Sequence, residues 1–243
     1  MPRTHLSLYV AADETDMAGE AADVIASMYS EAVADRGCFI LALSGGKTPI
    51  PLFHTLCRPE WTRIMDWSKI AVYWADERCV PPESEESNYH TARTELLSGV
   101  DATRYYRMKG EDIPETAAAA YAGLLADHFH LAEGELPRFD CILLGVGTDG
   151  HTASLFPGDL ALSNTKDTVI DVYPPKGSTP RLTLSLPVLN NARCCIFMAS
   201  GRVKHHILST ALNLMSAPLL PAQMVRPHSG RLCWIIDGNA YQG

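Results

Sequence analysis

The stretch Leu41-Ala42-Leu43-Ser44-Gly45-Gly46-Lys47-Thr48-Pro49-Ile50-Pro51-Leu52-Phe53 decides the fold. Its left side completes CFILAL (Cys38 to Leu43), a short unbroken apolar run of the kind found in strands buried on both faces of a parallel sheet. On the right, Thr48 is a helix-capping residue type and Pro49 suits a first helical position, where no N–H is needed. The pattern predicts a helix from Thr48 to about Arg58. Between them, Ser44-Gly45-Gly46 makes a turn whose backbone can come close to a ligand. A strand, a glycine turn and a helix start leave N–H groups and a positive dipole end pointing outward, a setting for anions and above all for phosphate. Read alone, the same turn is also common punctuation in α/β chains; Lys47 tilts it towards an anion.

Strands and helices alternate on either side of this unit. HLSLYVA from His5 is a strand, and Glu14 to Asp35 a helix closed by Gly37. KIAVYWA (Lys69 to Ala75) is a strand that breaks into the polar loop DERCVPPESEE, after which Ser87 can cap a helix through Leu97. PETAAAAYAGLLADHF is a further helix, and FDCILLGV, TVIDVY, RLTLSL, CCIFMA and RLCWIID are strands, with GRVKHHILSTALN a helix between the last two. The piece from Tyr173 to Pro180 reads as a loop. This order implies an α/β fold, a mostly parallel twisted sheet with helices on both faces in the Rossmann-like manner. With no repeat, low-complexity tract or linker, residues 1–243 read as a single domain.

Bulk properties narrow the function. With 243 residues, 47% hydrophobic and 20% charged, the composition is that of a globular protein with ample core material. A net charge of −8 argues against nucleic acid and anionic membranes as partners, so basic groups that hold an anion must be gathered locally. MPRTHLSLYV runs at once into AADETD, too polar for a targeting core, and no apolar run is long enough to span a membrane; a cytoplasmic protein is expected. Cys38, Cys141, Cys194, Cys195 and Cys233 lie in strand-like runs and read as reduced core residues, and no Cys/His spacing suggests zinc.

In open α/β sheets, ligands bind beyond the carboxyl ends of strands, which singles out three loops. The first is Ser44 to Thr48. In the second, Asp76, Glu77 and Arg78 follow a buried strand directly; an arginine there can face a substrate oxygen or simply pair with its neighbours. The third, GVGTDGHTASLFPG, fits G-x-G-x-x-G through Gly145, Gly147 and Gly150, with Asp171 near the place of a ribose-binding acid. Pro157-Gly158, however, would stop the required helix within about two turns, so a dinucleotide is not expected. Asp149 and His151, two apart, put a carboxylate on the same side as an imidazole if the segment is extended, the arrangement of an oriented general base. An isolated D-x-H is equally what a stabilised turn contains.

Together, SGGKTP, DERCVP with ESNY, and GTDGHTASLFPG, in this order and spacing, resemble the 6-phosphogluconolactonase family, within a wider group holding glucosamine-6-phosphate deaminases and sugar-phosphate isomerases. RLTLSLPVLNNA and GRVKHHIL extend the resemblance over roughly Leu41 to Leu208. It implies a parallel-sheet α/β domain that hydrolyses 6-phosphoglucono-δ-lactone in the oxidative pentose phosphate pathway, without metal or cofactor. By the same resemblance His151 is the base that activates water, with Asp149 beside it. Ser44, Gly45, Gly46, Arg181 and Lys204 hold sugar and phosphate, with Lys47, Thr48 and Arg78 nearby. Asp76 matches the base of the related deaminases; its duty in a lactonase stays open, as does direct phosphate contact by Lys47. TASLFPG after His151 favours the lactonase over a deaminase or isomerase, the main rivals beside a non-catalytic sugar-phosphate sensor. A sugar-phosphate lactone is the only partner expected, in a monomer or weak homo-oligomer.

Overall fold

The computed structural model describes residues 4–174, 178–213 and 219–242, so residues 175–177 of the loop read between Tyr173 and Pro180 lie outside it. Its strands, in chain order, are β1 (His5–Ala11), β2 (Phe39–Leu43), β3 (Ile70–Trp74), β4 (Asp76–Arg78) and β5 (Arg104–Tyr106), then β6 (Cys141–Gly145), β7 (Val169–Val172), β8 (Arg181–Leu184), β9 (Cys194–Ala199) and β10 (Arg231–Asp237). The helices that matter below are α1 (Glu14–Arg36), α2 (Ile50–Leu56), α3 (Pro59–Thr62), α4 (Asn88–Glu95) and α5 (Pro114–Phe129). Asp13 caps α1 by accepting from the N–H groups of Thr15 and Asp16, and the chain leaves the helix at Gly37, as the sequence predicts.

Among the described residues, seven strands form one sheet in the order β1-β10-β9-β6-β2-β3-β5, and every neighbouring pair is parallel. The core follows the apolar runs: β3 is buried along its whole length and β9 likewise. Such strands have no solvent face to spare, which is why they read as continuous apolar segments rather than alternating ones. Helix α1 lies against β1, β2, β9 and β10 and also packs on α2. From β2 the chain goes on to β3 on one side, whereas from β6 it goes on to the β9 side. The loops after β2 and β6 therefore diverge, and a crevice opens between them at the carboxyl edge.

Four expectations need correction. The segments TVIDVY and RLTLSL do not join the parallel sheet: β7 and β8 pair antiparallel with each other, and β8 pairs antiparallel with β4 in a separate three-stranded sheet. Asp76–Arg78 is thus a short strand rather than loop, drawn into order by Leu182 and its neighbours across the ladder. Helix α2 begins at Ile50, with Pro49 at the cap position and no capping bond from Thr48. Pro51 offers no N–H in the first turn, and Ile50 N donates back to Lys47 O, so few orphan donors remain for a side chain to serve. Asp149-Gly150-His151 is a turn and not an extended segment.

Candidate active site

The crevice at the carboxyl edge is a cleft of about 360 Å³. One wall is the loop from Ser44 to Pro49, the other the segment from Gly145 to Thr148, and Lys204 and Met198 approach from the β9 side. Asp76, Arg78, Asn88, His151 and Ala153 also line it, with Leu143 and Leu144 of β6. Of the residues singled out from sequence, Ser44, Gly45, Gly46, Lys47, Thr48, Asp76, Arg78, His151 and Lys204 meet here. Arg181 does not line the cleft; its Nη1 donates to the carbonyls of Thr179 and Pro180. It sits opposite Arg78 in the β4–β8 ladder, near enough for its charge to be felt at Asp76.

His151 and Asp149 are paired by the turn itself. Asp149 Oδ1 accepts the backbone N–H of His151 at 3.1 Å and lies 2.6 Å from its Nδ1. Burial would raise the Asp149 carboxyl, but the N–H, the charge and the ring of His151 together outweigh it and hold Asp149 below its ordinary value. The imidazole leans on Phe156, ring centres 4.8 Å apart. Gly147 carries the turn: its N–H donates to His151 O at 2.8 Å, and a Cβ there would run into His151 Nδ1 and Cε1. This is the physical use of the glycine spacing that imitates a dinucleotide motif.

Asp76 is 8% exposed and receives two hydroxyls, Ser154 Oγ at 2.8 Å and Ser44 Oγ at 3.4 Å. Burial pushes its carboxyl up, against the Ser154 bond and the charges of Arg78, His151 and Arg181, which pull it down. Lys204 Nζ donates to Val146 O at 2.7 Å, and burial lowers its ammonium while Asp149 opposes that. The lysine is thus half-sheltered and tied to the loop that carries the Asp149–His151 pair.

The parts played by Glu77, Asn88 and Ser154 escape a reading of the sequence. Glu77 is 2% exposed and accepts from the N–H groups of Arg78, Asn88 and Tyr89 and from Ser87 Oγ, pinning the start of α4 to β4. Asn88 then receives Arg78 Nη1 at 2.8 Å, donates to Asp76 O at 2.8 Å, and lies so close to Gly45 that no Cβ would fit there. The signal in the sequence is the Ser-Asn pair at a helix start beside an acidic run; its partners on other elements are not visible there. Among the described residues no group of three His, Cys, Asp or Glu side chains is gathered to hold a metal ion.

A cleft with an oriented imidazole at one end and a sheltered ammonium, an arginine and a glycine loop around it suits attack by water on an anionic substrate. Comparison with known proteins agrees. Residues 12–234 match the family model of glucosamine-6-phosphate isomerases/6-phosphogluconolactonase. A 6-phosphogluconolactonase of Synechocystis is 39% identical over 89% of this chain and 89% of its own length, and one of Nostoc is 36% identical over 94% of each. The solved 6-phosphogluconolactonase of Trypanosoma brucei is similar with a TM-score of 0.86 at 26% identity, covering 96% of this chain and 97% of that one.

Proposed function

The chain belongs to the family of glucosamine-6-phosphate isomerases and 6-phosphogluconolactonases, and from that premise we propose that it hydrolyses 6-phosphoglucono-δ-lactone to 6-phosphogluconate with water activated by His151. Relatives named 6-phosphogluconolactonase, 39% and 36% identical over most of the chain, support a lactone hydrolase. The observation that carries the mechanism is that His151, tied to Asp149 at 2.6 Å, lines the same cleft as the Ser44–Thr48 loop and Lys204.

With Nδ1 engaged by Asp149, Nε2 takes a proton from water as the oxygen attacks the lactone carbonyl. The carbonyl oxygen becomes an oxyanion, which backbone N–H groups along the cleft stabilise. On collapse, the bond from the carbonyl carbon to the ring oxygen breaks and the imidazolium returns its proton to that oxygen. The products are a carboxylic acid, ionised at neutral pH, and a hydroxyl. The substrate phosphate takes no part in the bond changes. Held by the Ser44–Thr48 backbone, Lys204 and Arg78, it converts remote binding into orientation of the carbonyl. Asp76 holds Ser44 and Ser154 in place, and Arg181 adds positive charge from across the β4–β8 ladder. The reaction is a step of the oxidative pentose phosphate pathway.

The deciding experiment follows lactone disappearance against an enzyme-free control, since lactones also open unaided. His151→Ala should lose about 10²–10⁴-fold in kcat with little change in KM. Turnover equal to the parent's would remove His151 from the mechanism.

A further inference from the structure

The opposite end of the sheet carries a second polar cavity, of about 610 Å³, that the lactonase reaction does not use. Four arginines surround it: Arg36 at the end of α1, Arg138 ahead of β6, Arg193 ahead of β9, and Arg231 at the first position of β10. Parallel strands bring these amino-terminal positions to one edge, just as they bring the catalytic loops to the other. Met198, which lines the cleft, lies five positions beyond Arg193 along the chain, roughly 16 Å of strand. A molecule in this cavity would therefore not touch a substrate in the cleft.

The arginines have more positive charge than their partners neutralise. Asp140, 2% exposed, is shared by Arg36 Nη2 at 2.6 Å and Arg193 Nε at 3.2 Å, the latter close enough for an ion pair but not aligned for a hydrogen bond. Its second oxygen is already taken by Ile40 N. Among the described residues Arg138 has no carboxylate partner: Nη2 donates to the Oγ and carbonyl of Ser229, and its buried Nε has no acceptor. The remaining acids, Asp35 and Glu31, are 72% and 53% exposed and bind Arg36 and Arg231 at the rim. Burial lowers the Arg193 guanidinium, and the charges of Arg36 and Arg138 lower it further, so the cations crowd one another. In a chain of net charge −8 this surplus stands against the overall field.

We infer that this cavity is a second anion site, which takes a small phosphorylated molecule with at least two negative charges. Guanidinium forks suit phosphate oxygens bidentately, and Arg138 brings its fork to the cavity with only the neutral Ser229 as a partner for Nη2. The volume exceeds that of a single phosphate group and suits a diphosphate or an organic phosphate.

Calorimetric titration of inorganic pyrophosphate into the whole parent protein and into Arg138→Gln tests this, with lactone hydrolysis followed on both. Any pyrophosphate taken up by the catalytic cleft is common to the two proteins, so their difference reports the second cavity. The expected result is a binding event in the parent that weakens at least ten-fold in Arg138→Gln, while lactone turnover is unchanged. Equal binding to both proteins, or no binding to the parent, overturns the proposal. Should Arg138→Gln fail to fold, Arg231→Gln, whose lost partner Glu31 is exposed, gives the same comparison.

Discussion

His151 Nδ1 lies 2.6 Å from Asp149 Oδ1, and the same carboxylate oxygen accepts the His151 backbone N–H. One oxygen thus fixes both the ring and the turn that presents it, and it directs the proton of the neutral imidazole to Nδ1. Asp149→Asn should keep the turn, because an amide oxygen can still accept the N–H. It would offer the ring no anion. The expected outcome is a fall in kcat of about 10-fold to 10²-fold, less than for loss of the imidazole itself, with KM near the parent's. An unchanged kcat would mean that the pair is only a turn device.

Gly147 supports the same pair by what it lacks. Its backbone is not in the left-handed region, so alanine would meet no torsional penalty there; the added methyl would instead run into the His151 ring and approach Asp149 Oδ1 at 2.6 Å. Gly147→Ala should fold and lose about 10²-fold in kcat, the scale of a misplaced reacting group. Gly123→Ala in α5, where a Cβ meets nothing within 4 Å, is the control and should leave turnover unchanged. If both variants turn over alike, the imidazole tolerates displacement and its placement is not limiting.

The contrast between these glycines marks what is legible in the sequence. Strands buried on both faces announce themselves as unbroken apolar runs, and β2, β3, β6, β9 and β10 each fall within a residue or two of such a run. The loops that follow β2 and β6 can therefore be named as a site before their geometry is known. Asp76–Arg78 is different. Three polar residues carry no period that distinguishes a strand from a loop, and β4 exists because β8 supplies a ladder from far along the chain. Arg181 falls short for a related reason: its motif fixes its position in β8 but not the rotamer, which turns to the carbonyls of Thr179 and Pro180.

Glu77 holds the second wall of the cleft in place. Its two oxygens receive three backbone N–H groups and a hydroxyl at 2.7–3.0 Å, and none of these donors belongs to the substrate. In Glu77→Gln one oxygen becomes an NH₂ facing donors, so buried N–H or O–H groups lose their acceptor. The loss should be about 2 kcal/mol, in the range for an unsatisfied buried donor, read from urea denaturation. Because Arg78 and Asn88 lean on this anchor, KM should rise more than kcat falls. A variant as stable as the parent would show that α4 is held by packing alone.

Asp76 supplies a prediction in pH. Burial raises its carboxyl above the 3.8 of a free side chain, and Glu77 is raised for the same reason, so only one of the two is removed in Asp76→Asn. A group that ionises near 3.8 when unfolded but higher when folded binds more protons in the native state across that interval. Its contribution to stability is then full below 3.8 and is lost as pH rises through the folded-state value. The amide introduced by Asp76→Asn cannot ionise, so the variant should gain on the parent as pH rises from 3.8 towards neutrality, and the gap should stop growing once Asp76 is ionised in both states. Urea midpoints for both proteins between about pH 4 and about pH 8 measure this slope. A gap independent of pH would mean that Asp76 ionises as easily in the fold as in the free chain, and that the Ser154 bond and the surrounding arginines cancel the cost of burial.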